Sequence, residues 1–347
     1  MKMCVHSVVR AFGVIAMAAL YAGPFNASAQ NLFVSSHGTV YKITPGGTQS
    51  VFVSGLAYNS AGLAFDGTNN LYVGVQGLSP IISLDFVTPA GSSSTFATQA
   101  GSPGGLAFNS AGNLFVANAS GSGAITEYAP DGSSSPFASG LSEAQGLAFD
   151  SQGNLYEADQ GSGNIYKFTP GGAQSTFAYG LSEPTGLAFD SSSNLFVSDL
   201  TAGAVYKYTP AGTQSTVLTG LYNPQGLAFD NAGNLYVAVG ASGYENFGPP
   251  EIIKISPAGT QSVFKSGLII TYMAFQPVPA LQSGLSNGSV LVTVTAPSPY
   301  YPTVLQYSTN QLNWINICTN TPPFTYTNTM TSGPMRFFRA YVSQPGF

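Results

Sequence analysis

A repeat of about 40 residues runs through most of this 347-residue chain and limits the folds open to it. The tetrapeptide Gly-Leu-Ala-Phe occurs five times, and a degenerate copy, Tyr-Met-Ala-Phe, follows; the copies begin at Gly62, Gly105, Gly146, Gly186, Gly226 and Tyr272. An Asn-Leu-aromatic triplet and a Pro-x-Gly turn recur six times at the same period. Repetition at this length is typical of propellers and solenoids.

Each repeat has the pattern of four short β-strands. In the unit that begins at Gly146, "GLAFD" is the first strand, and "D-x-x-G-N" is a tight turn into the second, "LYEAD". "IYKFTP" and "QSTFAYGL" follow as the third and fourth strands, separated by a Gly-Gly turn. Four antiparallel strands in this length predict one propeller blade, whereas a helical solenoid would need helix formers that the repeat lacks.

The phase of the repeat predicts how the ring closes. The first triplet, at Asn31, belongs to a second strand, and the last unit stops after its first strand, around residues 272–276. We expect this terminal strand to pair with the N-terminal strands of residues 31–54, which completes a sixth blade and leaves no open sheet edge. The fold class is therefore predicted to be all-β, a closed six-bladed β-propeller of four-stranded blades.

The stretch "GLAFDSQGNLYEADQGSGNIYKFTP" resembles the repeats of the NHL family and of the related SMP-30/gluconolactonase-like and streptogramin-lyase-like propellers. The resemblance extends from about Asn31 to Gln276. It implies the six-bladed propeller fold. It does not choose an activity, because these families include binding modules, lactonases and lyases.

Segments of different composition flank the repeats. Residues 1–29 combine Lys2 and Arg10 with a short apolar run and an Ala-Ser-Ala site, which predicts a cleaved signal peptide, with a retained N-terminal anchor as the alternative. We assign residues 30–278 to the propeller. Residues 279–347 alternate strand-forming segments with Thr- and Pro-rich turns, and they predict a fibronectin-III-like β-sandwich module in which Trp314 is a core residue.

The charge balance of the mature chain is acidic. Nine Lys and Arg face fourteen Asp and Glu, and two of the nine lie in the leader. Nucleic acid and anionic membranes are therefore unexpected partners. We expect a monomer that is secreted, periplasmic or on the cell surface, and that has no membrane span after signal cleavage.

The repeat also indicates where a ligand site would lie. In such a propeller the loops that enter each first strand and leave each second strand share one face, around the channel. On this face polar residues concentrate in blades two to four and at the start of blade five. They are Asn118, Gln145, Asp159, Thr185, Asp199 and Gln225. This polar arc is either a ligand-binding site or the result of unconstrained sequence variation at solvent-exposed loop ends.

Glu157 is the unusual residue of the arc. It shares a strand face with Asp159, and the five sibling strands have valine at its position. With Asp159, Asp199 and Asn118 it would supply oxygen ligands for Ca²⁺ or another divalent cation. The SMP-30-like lactonases hold their metal with a similar Glu, Asn and Asp set, but the motif context differs, and no catalytic role is carried over.

A structural role for Glu157 remains open beside the metal role. The valines predict a buried strand face, where an ionised glutamate must reach the channel, hold a cation or pair with another group. Lys167 on the next strand is a candidate partner if the register allows it. Glu157, Asp159 and His37 are the weak catalytic candidates.

Three other features are interpreted from their context. The aspartates that end "GLAFD" (Asp66, Asp150, Asp190 and Asp230) are predicted to cap their own turns. His37, the only histidine outside the leader, is interpreted as a solvated loop residue, although streptogramin-lyase-like propellers rely on histidine. The long loop 240–251 would either close over a ligand or pack on the C-terminal module.

These observations favour a binding module that recognises a protein, a carbohydrate or a small molecule through the polar arc. The first alternative is a metal-dependent hydrolase or lyase, in which the metal would polarise a carbonyl or activate water. The second is a structural or adhesive surface protein, since Gly, Ser and Thr are abundant and charged residues make up only 7% of the chain.

Overall fold

The computed structural model describes residues 30–56, 59–76, 82–98, 101–120, 123–240 and 249–277, and six later strands by their backbone. The predicted signal peptide, Trp314 and most of the long loop at 240–251 lie outside these residues, and their predictions stay untested.

Six four-stranded antiparallel sheets form the six blades of the predicted propeller. Blades one to five each follow chain order, from the innermost strand outward. They are β4–β7 (Asn59–Phe65, Leu71–Gln76, Ile82–Val87, Ser93–Thr98), β8–β11 (Pro103–Phe108, Leu114–Asn118, Ala124–Tyr128, Ser134–Ser139), β12–β15 (Ala144–Phe149, Leu155–Asp159, Asn164–Phe168, Gln174–Ala178), β16–β19 (Pro184–Phe189, Leu195–Asp199, Ala204–Tyr208, Gln214–Leu218) and β20–β23 (Leu227–Phe229, Leu235–Val239, Glu251–Ile255, Gln261–Ser266).

The sixth blade closes the ring as the repeat phase predicted. Its outer strands come from the N-terminus: β1 (Leu32–Ser36), β2 (Thr39–Ile43) and β3 (Gln49–Ser54). Its innermost strand is β24 (Met273–Phe275), which pairs antiparallel with β1 in the register Val34↔Met273 and Leu32↔Phe275. Residues Gln30–Gln276 together form one compact unit.

Apolar side chains fill the seams between neighbouring blades. Alternate residues of each strand face the preceding and the following blade, so each second strand contributes to two seams. In blade three, Leu155 packs toward blade two, while Tyr156 packs toward blade four. Tyr156 makes edge-to-face contacts with Phe177 and Phe189, at centroid distances of 5.0 and 5.1 Å. Equivalent aromatic contacts recur around the ring and stabilise the stacking of the blades.

The glycine of Gly-Leu-Ala-Phe is required by close backbone packing between inner strands. A Cβ at Gly105 would lie 2.5 Å from the carbonyl oxygen of Gln145, and one at Gly226 would lie 2.9 Å from that of Thr271. Such distances are shorter than van der Waals contact, so only glycine fits. The degenerate copy in blade six has Tyr272 at the position of this glycine.

The recurring aspartates cap their turns, as predicted. Asp150 Oδ1 accepts hydrogen bonds from the backbone amides of Gln152 and Asn154, at 2.9 and 2.8 Å, and Oδ2 accepts one from Asn154 Nδ2 at 2.8 Å. Asp66, Asp190 and Asp230 make the same contacts.

After the propeller the backbone forms two three-stranded antiparallel sheets. Their strands are β25 (Ala280–Ser286), β26 (Ser289–Thr295), β27 (Thr303–Ser308), β28 (Ile315–Asn320), β29 (Phe324–Thr329) and β30 (Phe337–Val342). The orders are β25-β26-β29 and β28-β27-β30. How the two sheets pack is not described, and the fibronectin-III-like sandwich stays a prediction. Within the described part of the chain, no helical segment has the length and apolarity to cross a membrane.

Candidate ligand-binding face

The predicted site residues lie on the face of the propeller that we call the top face. It carries the loops between the second and third strands of each blade, such as residues 160–163, and the loops that lead to the next blade, such as residues 179–183. The opposite bottom face carries the aspartate-capped turns.

Asp159 and Asp199 are buried at the ends of their strands and bind backbone amides rather than facing solvent. Asp159 is 1% exposed, and its oxygens accept hydrogen bonds from the amides of Ser142 at 2.7 Å, Ser162 at 3.0 Å and Glu143 at 3.4 Å. The Asp159 carboxylate therefore links the loop that leads into blade three to the loop that follows the second strand of this blade.

Asp199 repeats this arrangement one blade further along the ring. It is also 1% exposed, and it accepts from the amides of Ser182 at 2.8 Å, Glu183 at 3.0 Å and Ala202 at 3.1 Å. Sequence reasoning grouped both aspartates with the ligand-binding and metal-binding candidates. In the structure their oxygens accept backbone hydrogen bonds that hold two top-face loops in place, and the ligand-binding and metal-binding roles stay predictions.

Glu157 lies in the seam between blades two and three. Its side chain has no exposed surface, and neither carboxylate oxygen has a hydrogen-bond partner among the described residues. Burial, together with the charge of nearby Asp159, raises the pKa of Glu157 well above its usual 4.5. The backbone amide of Gln145 offsets a smaller part of this rise without reaching hydrogen-bond geometry. The environment therefore favours the neutral acid.

The suggested pairing of Glu157 with Lys167 is wrong. In the β13–β14 register Glu157 lies opposite Tyr166, while Lys167 lies opposite Tyr156 and points to the other face of the blade. Lys167 Nζ is 3.9 Å from Asp150 Oδ2 and 5.2 Å from the centre of the Tyr156 ring. Lys207 and Lys254 sit over aromatic rings in the same way, so this contact belongs to the repeat.

A hydrogen-bonded bridge crosses the ring at the top face. The Tyr272 hydroxyl of blade six donates to Gln145 Oε1 of blade three at 3.1 Å, and Gln145 Nε2 donates to Gln160 Oε1 at 2.9 Å. Blades three and six are opposite each other in a six-bladed ring, so the bridge crosses the channel mouth. Burial raises the pKa of the Tyr272 phenol, which keeps the hydroxyl a donor.

The remaining arc residues have different roles. The Thr185 hydroxyl lies 3.0 Å from Ser198 Oγ and 3.3 Å from the carbonyl oxygen of Pro224, so it joins blades four and five. Asn118 Oδ1 accepts from the amide of Ser120 at 3.1 Å and shapes its own loop. Gln225 is half-buried, and its side-chain amide has no hydrogen bond to the described residues.

His37 occupies the first position of the tight turn between β1 and β2. It is exposed, has a φ of 44°, and its Nδ1 lies 3.4 Å from the hydroxyl of Ser36. The ring therefore lies in solvent at a hairpin, which agrees with its interpretation as a loop residue.

The four predicted metal ligands are not brought together as one group. Within the described ranges, no three His, Cys, Asp or Glu side chains are close enough to hold a metal ion. The divalent-cation site built from Glu157, Asp159, Asp199 and Asn118 stays a prediction that the described geometry does not strengthen.

Sequence reasoning missed two tyrosines of the top face. Tyr272 belongs to the degenerate copy of the repeat, where it replaces a glycine that five units keep. Tyr179 follows β15 and is 82% exposed, and the five sibling units have Ser or Thr at its position. The comparison of units that singled out Glu157 would have found both.

A small cavity of about 150 Å³ lies on the bottom face rather than at the predicted site. It lies between blades three and four, and Asp150, Lys167, Tyr156 and Ser193 are among its lining residues. The contact of Lys167 with an aromatic ring recurs at Lys207 and Lys254, so part of this lining belongs to the repeat.

Comparisons with known proteins place the chain by fold alone. No protein-family model matches it, and no curated protein sequence matches it. Among solved structures, a chain from a nidogen/laminin complex is similar with a TM-score of 0.63 and 21% identity, over 71% of this chain and 98% of that one.

Two enzymes also share the fold. Virginiamycin B lyase from Staphylococcus aureus has a TM-score of 0.52 and 12% identity, over 74% of this chain and 84% of its own. A gluconolactonase from Xanthomonas campestris has a TM-score of 0.51 and 19% identity, over 62% of this chain and 84% of its own. Propellers of this shape therefore include both binding proteins and enzymes.

Proposed function

We propose that the chain is an exported binding module that holds a neutral, polar ligand at the channel mouth of the top face. The observation that carries this proposal is the bridge from Tyr272 through Gln145 to Gln160, with the side-chain amide of Gln225, which has no hydrogen bond to the described residues, on the same face. Amide and phenol groups both donate and accept hydrogen bonds, which suits ligands rich in hydroxyl or amide groups.

The charged residues of the arc support the same choice. Asp159 and Asp199 already accept three backbone hydrogen bonds each, and Glu157 is sealed inside a blade seam. The groups left to meet a ligand on this part of the face are mostly neutral. A binding role is therefore favoured over a metal-dependent hydrolase, which would need those carboxylates free to hold an ion.

A thermal-shift series tests the proposal. Wild-type protein is screened against neutral oligosaccharides and dipeptides, and separately against Ca²⁺, Mg²⁺ and Zn²⁺, with Gln225→Ala and Gln145→Ala beside it. Gln152→Ala on the bottom face is the matched control, because Gln152 is exposed there. We expect a neutral ligand to raise Tm in the wild type and in the control, and much less in the two top-face variants.

Two results would count against the binding proposal. One is an ion-dependent rise in Tm that is lost in Asp199→Asn, accompanied by turnover of a lactone. The other is a ligand response that is the same in all four proteins. Export and a monomeric state belong to the same proposal, and they are tested by N-terminal sequencing of the mature protein and by its mass in solution.

A further inference from the structure

We infer that the top face binds carbohydrate through a platform centred on Tyr179. The platform consists of Tyr179, Ser182, Ser142 and Glu143, on the two loops that lead into blades three and four. This inference rests on the proposed binding function and names its ligand class. It adds a contact surface on the outer part of the top face, which is separate from the channel mouth.

The propeller fold does not require a tyrosine at position 179. Its side chain is 82% exposed, directly after the outermost strand of blade three. The five sibling positions are also exposed and have small hydroxyl residues: Ser54, Thr98, Ser139, Thr219 and Ser266. The fold is therefore satisfied by Ser or Thr here, and most of the ring faces solvent.

The loop that carries Tyr179 is held in place before any ligand arrives. The amide of Leu181 donates to the carbonyl oxygen of Gly163 at 3.1 Å, and the amides of Ser182 and Glu183 donate to the buried Asp199 carboxylate. A rigid loop loses little conformational entropy on binding, and tyrosine itself has few rotatable bonds. An exposed ring on such a loop is well suited to stack against a ligand.

The preceding loop of the same face supplies polar groups in the same rigid form. Asp159 fixes the amides of Ser142 and Glu143, whose side chains are exposed. The Glu143 carboxylate has no hydrogen bond to the described residues, so it can accept hydrogen bonds from ligand hydroxyls. The same face of the propeller therefore presents a flat apolar ring together with hydroxyl and carboxylate groups, a combination that matches a sugar, which has an apolar C–H face and a polar rim.

The balance of charge favours a sugar over a basic polypeptide. A basic partner would need several free carboxylates, but Asp159 and Asp199 are buried and bound to amides. The Glu183 carboxylate accepts a hydrogen bond from the Thr201 hydroxyl at 2.5 Å. Glu143 is therefore the one carboxylate of these two loops without a partner among the described residues, and apart from Glu183 the other residues of these loops are uncharged.

Affinity gel electrophoresis with soluble polysaccharides tests the inference on the full chain. Xylan, β-1,3-glucan, galactomannan and pectin are cast in separate native gels, and the retardation of wild-type protein is measured against polysaccharide concentration. Tyr179→Ser restores the sibling residue, so the fold should be preserved, and its Tm verifies this. The double variant Tyr179→Ser with Ser139→Tyr moves the ring to the preceding blade.

We expect at least one polysaccharide to retard the wild type, Tyr179→Ser to weaken binding at least tenfold with an unchanged Tm, and the double variant to restore none of it. Glu143→Gln should weaken binding less. Equal retardation of wild type and Tyr179→Ser, or no retardation in any gel, would overturn the inference. The inference would also be overturned if the protein were retained on a polylysine column, eluted from it by salt, and no longer retained after Glu143→Gln.

The binding proposal for the channel mouth is separable from this inference. If Tyr179→Ser has no effect but Gln225→Ala abolishes a ligand-induced Tm shift, the carbohydrate platform fails and the mouth proposal stands. If neither substitution changes any ligand response, both fail.

Discussion

Replacing Glu157 by valine should stabilise the propeller, and the gain should grow as the pH rises. The glutamate is fully buried, both of its oxygens lack hydrogen bonds to the described part of the chain, and the five sibling strands have valine at this position. A buried polar group without a partner costs about 1–3 kcal/mol, so we expect a gain of this size where the carboxyl is protonated in both the folded and unfolded states.

The pH dependence follows from the raised pKa of Glu157. Between the usual value of 4.5 and the raised folded value, the folded chain retains a proton that the unfolded chain has released. The free energy of unfolding of the wild type therefore falls as pH rises through this window, by up to about 1.4 kcal/mol per pH unit from this group. The valine variant lacks this slope, so the difference between the two proteins widens.

Urea unfolding at several pH values between 4.5 and 8 measures this difference directly. Glu157→Gln is the control, because it keeps a polar side chain but cannot titrate. We expect its stability to vary with pH in parallel with the valine variant. A valine variant less stable than the wild type, or a gap that does not change with pH, would refute the reasoning, since the carboxylate would then be charged and partnered in the folded protein.

Three further substitutions test the structural roles assigned above. Asp199→Ala should lower the free energy of unfolding by about 2–4 kcal/mol in urea titrations, because three backbone amides lose a charged acceptor; a loss below 0.5 kcal/mol would contradict the role in holding the loop. Gly146→Ala should cost more than 3 kcal/mol, because its Cβ would overlap a carbonyl oxygen of the next blade, whereas Gly140→Ala, with φ of 80° but open space around it, should cost about 1 kcal/mol. Tyr272→Phe should cost about 1 kcal/mol and increase hydrogen exchange of the Gln145 side-chain amide measured by NMR; unchanged exchange would show that the bridge does not persist in solution.

Periodic features of the repeat could be interpreted from the sequence because the interactions behind them are local or repeat with the blades. The caps at Asp66 and Asp150 form within four residues of chain, so a short motif contains all of their partners. The glycine of Gly-Leu-Ala-Phe and the alternation of apolar residues recur in each unit, and together with the phase of the repeat they predicted six blades and the pairing of β24 with β1.

The candidate site was less predictable, because its decisive contacts join distant parts of the chain. Asp159 is a polar residue at a strand end in the sequence, and only folding brings the amide of Ser142, 17 residues earlier, against its carboxylate. The direction of Lys167 likewise depended on a register that pattern alone left open.

The sequence by itself determined the propeller, since a repeated pattern of strands, turns and close-packed glycines is compatible with few other folds. It also marked Glu157 as exceptional, because the sibling strands show what the scaffold prefers. Only the tertiary structure decided that this glutamate is sealed in a seam, that Asp159 and Asp199 hold loops, and that Tyr272 reaches Gln145, 127 residues away. The reason is physical: burial and hydrogen-bond partners are properties of positions in space, and ring closure brings residues together that are far apart along the chain.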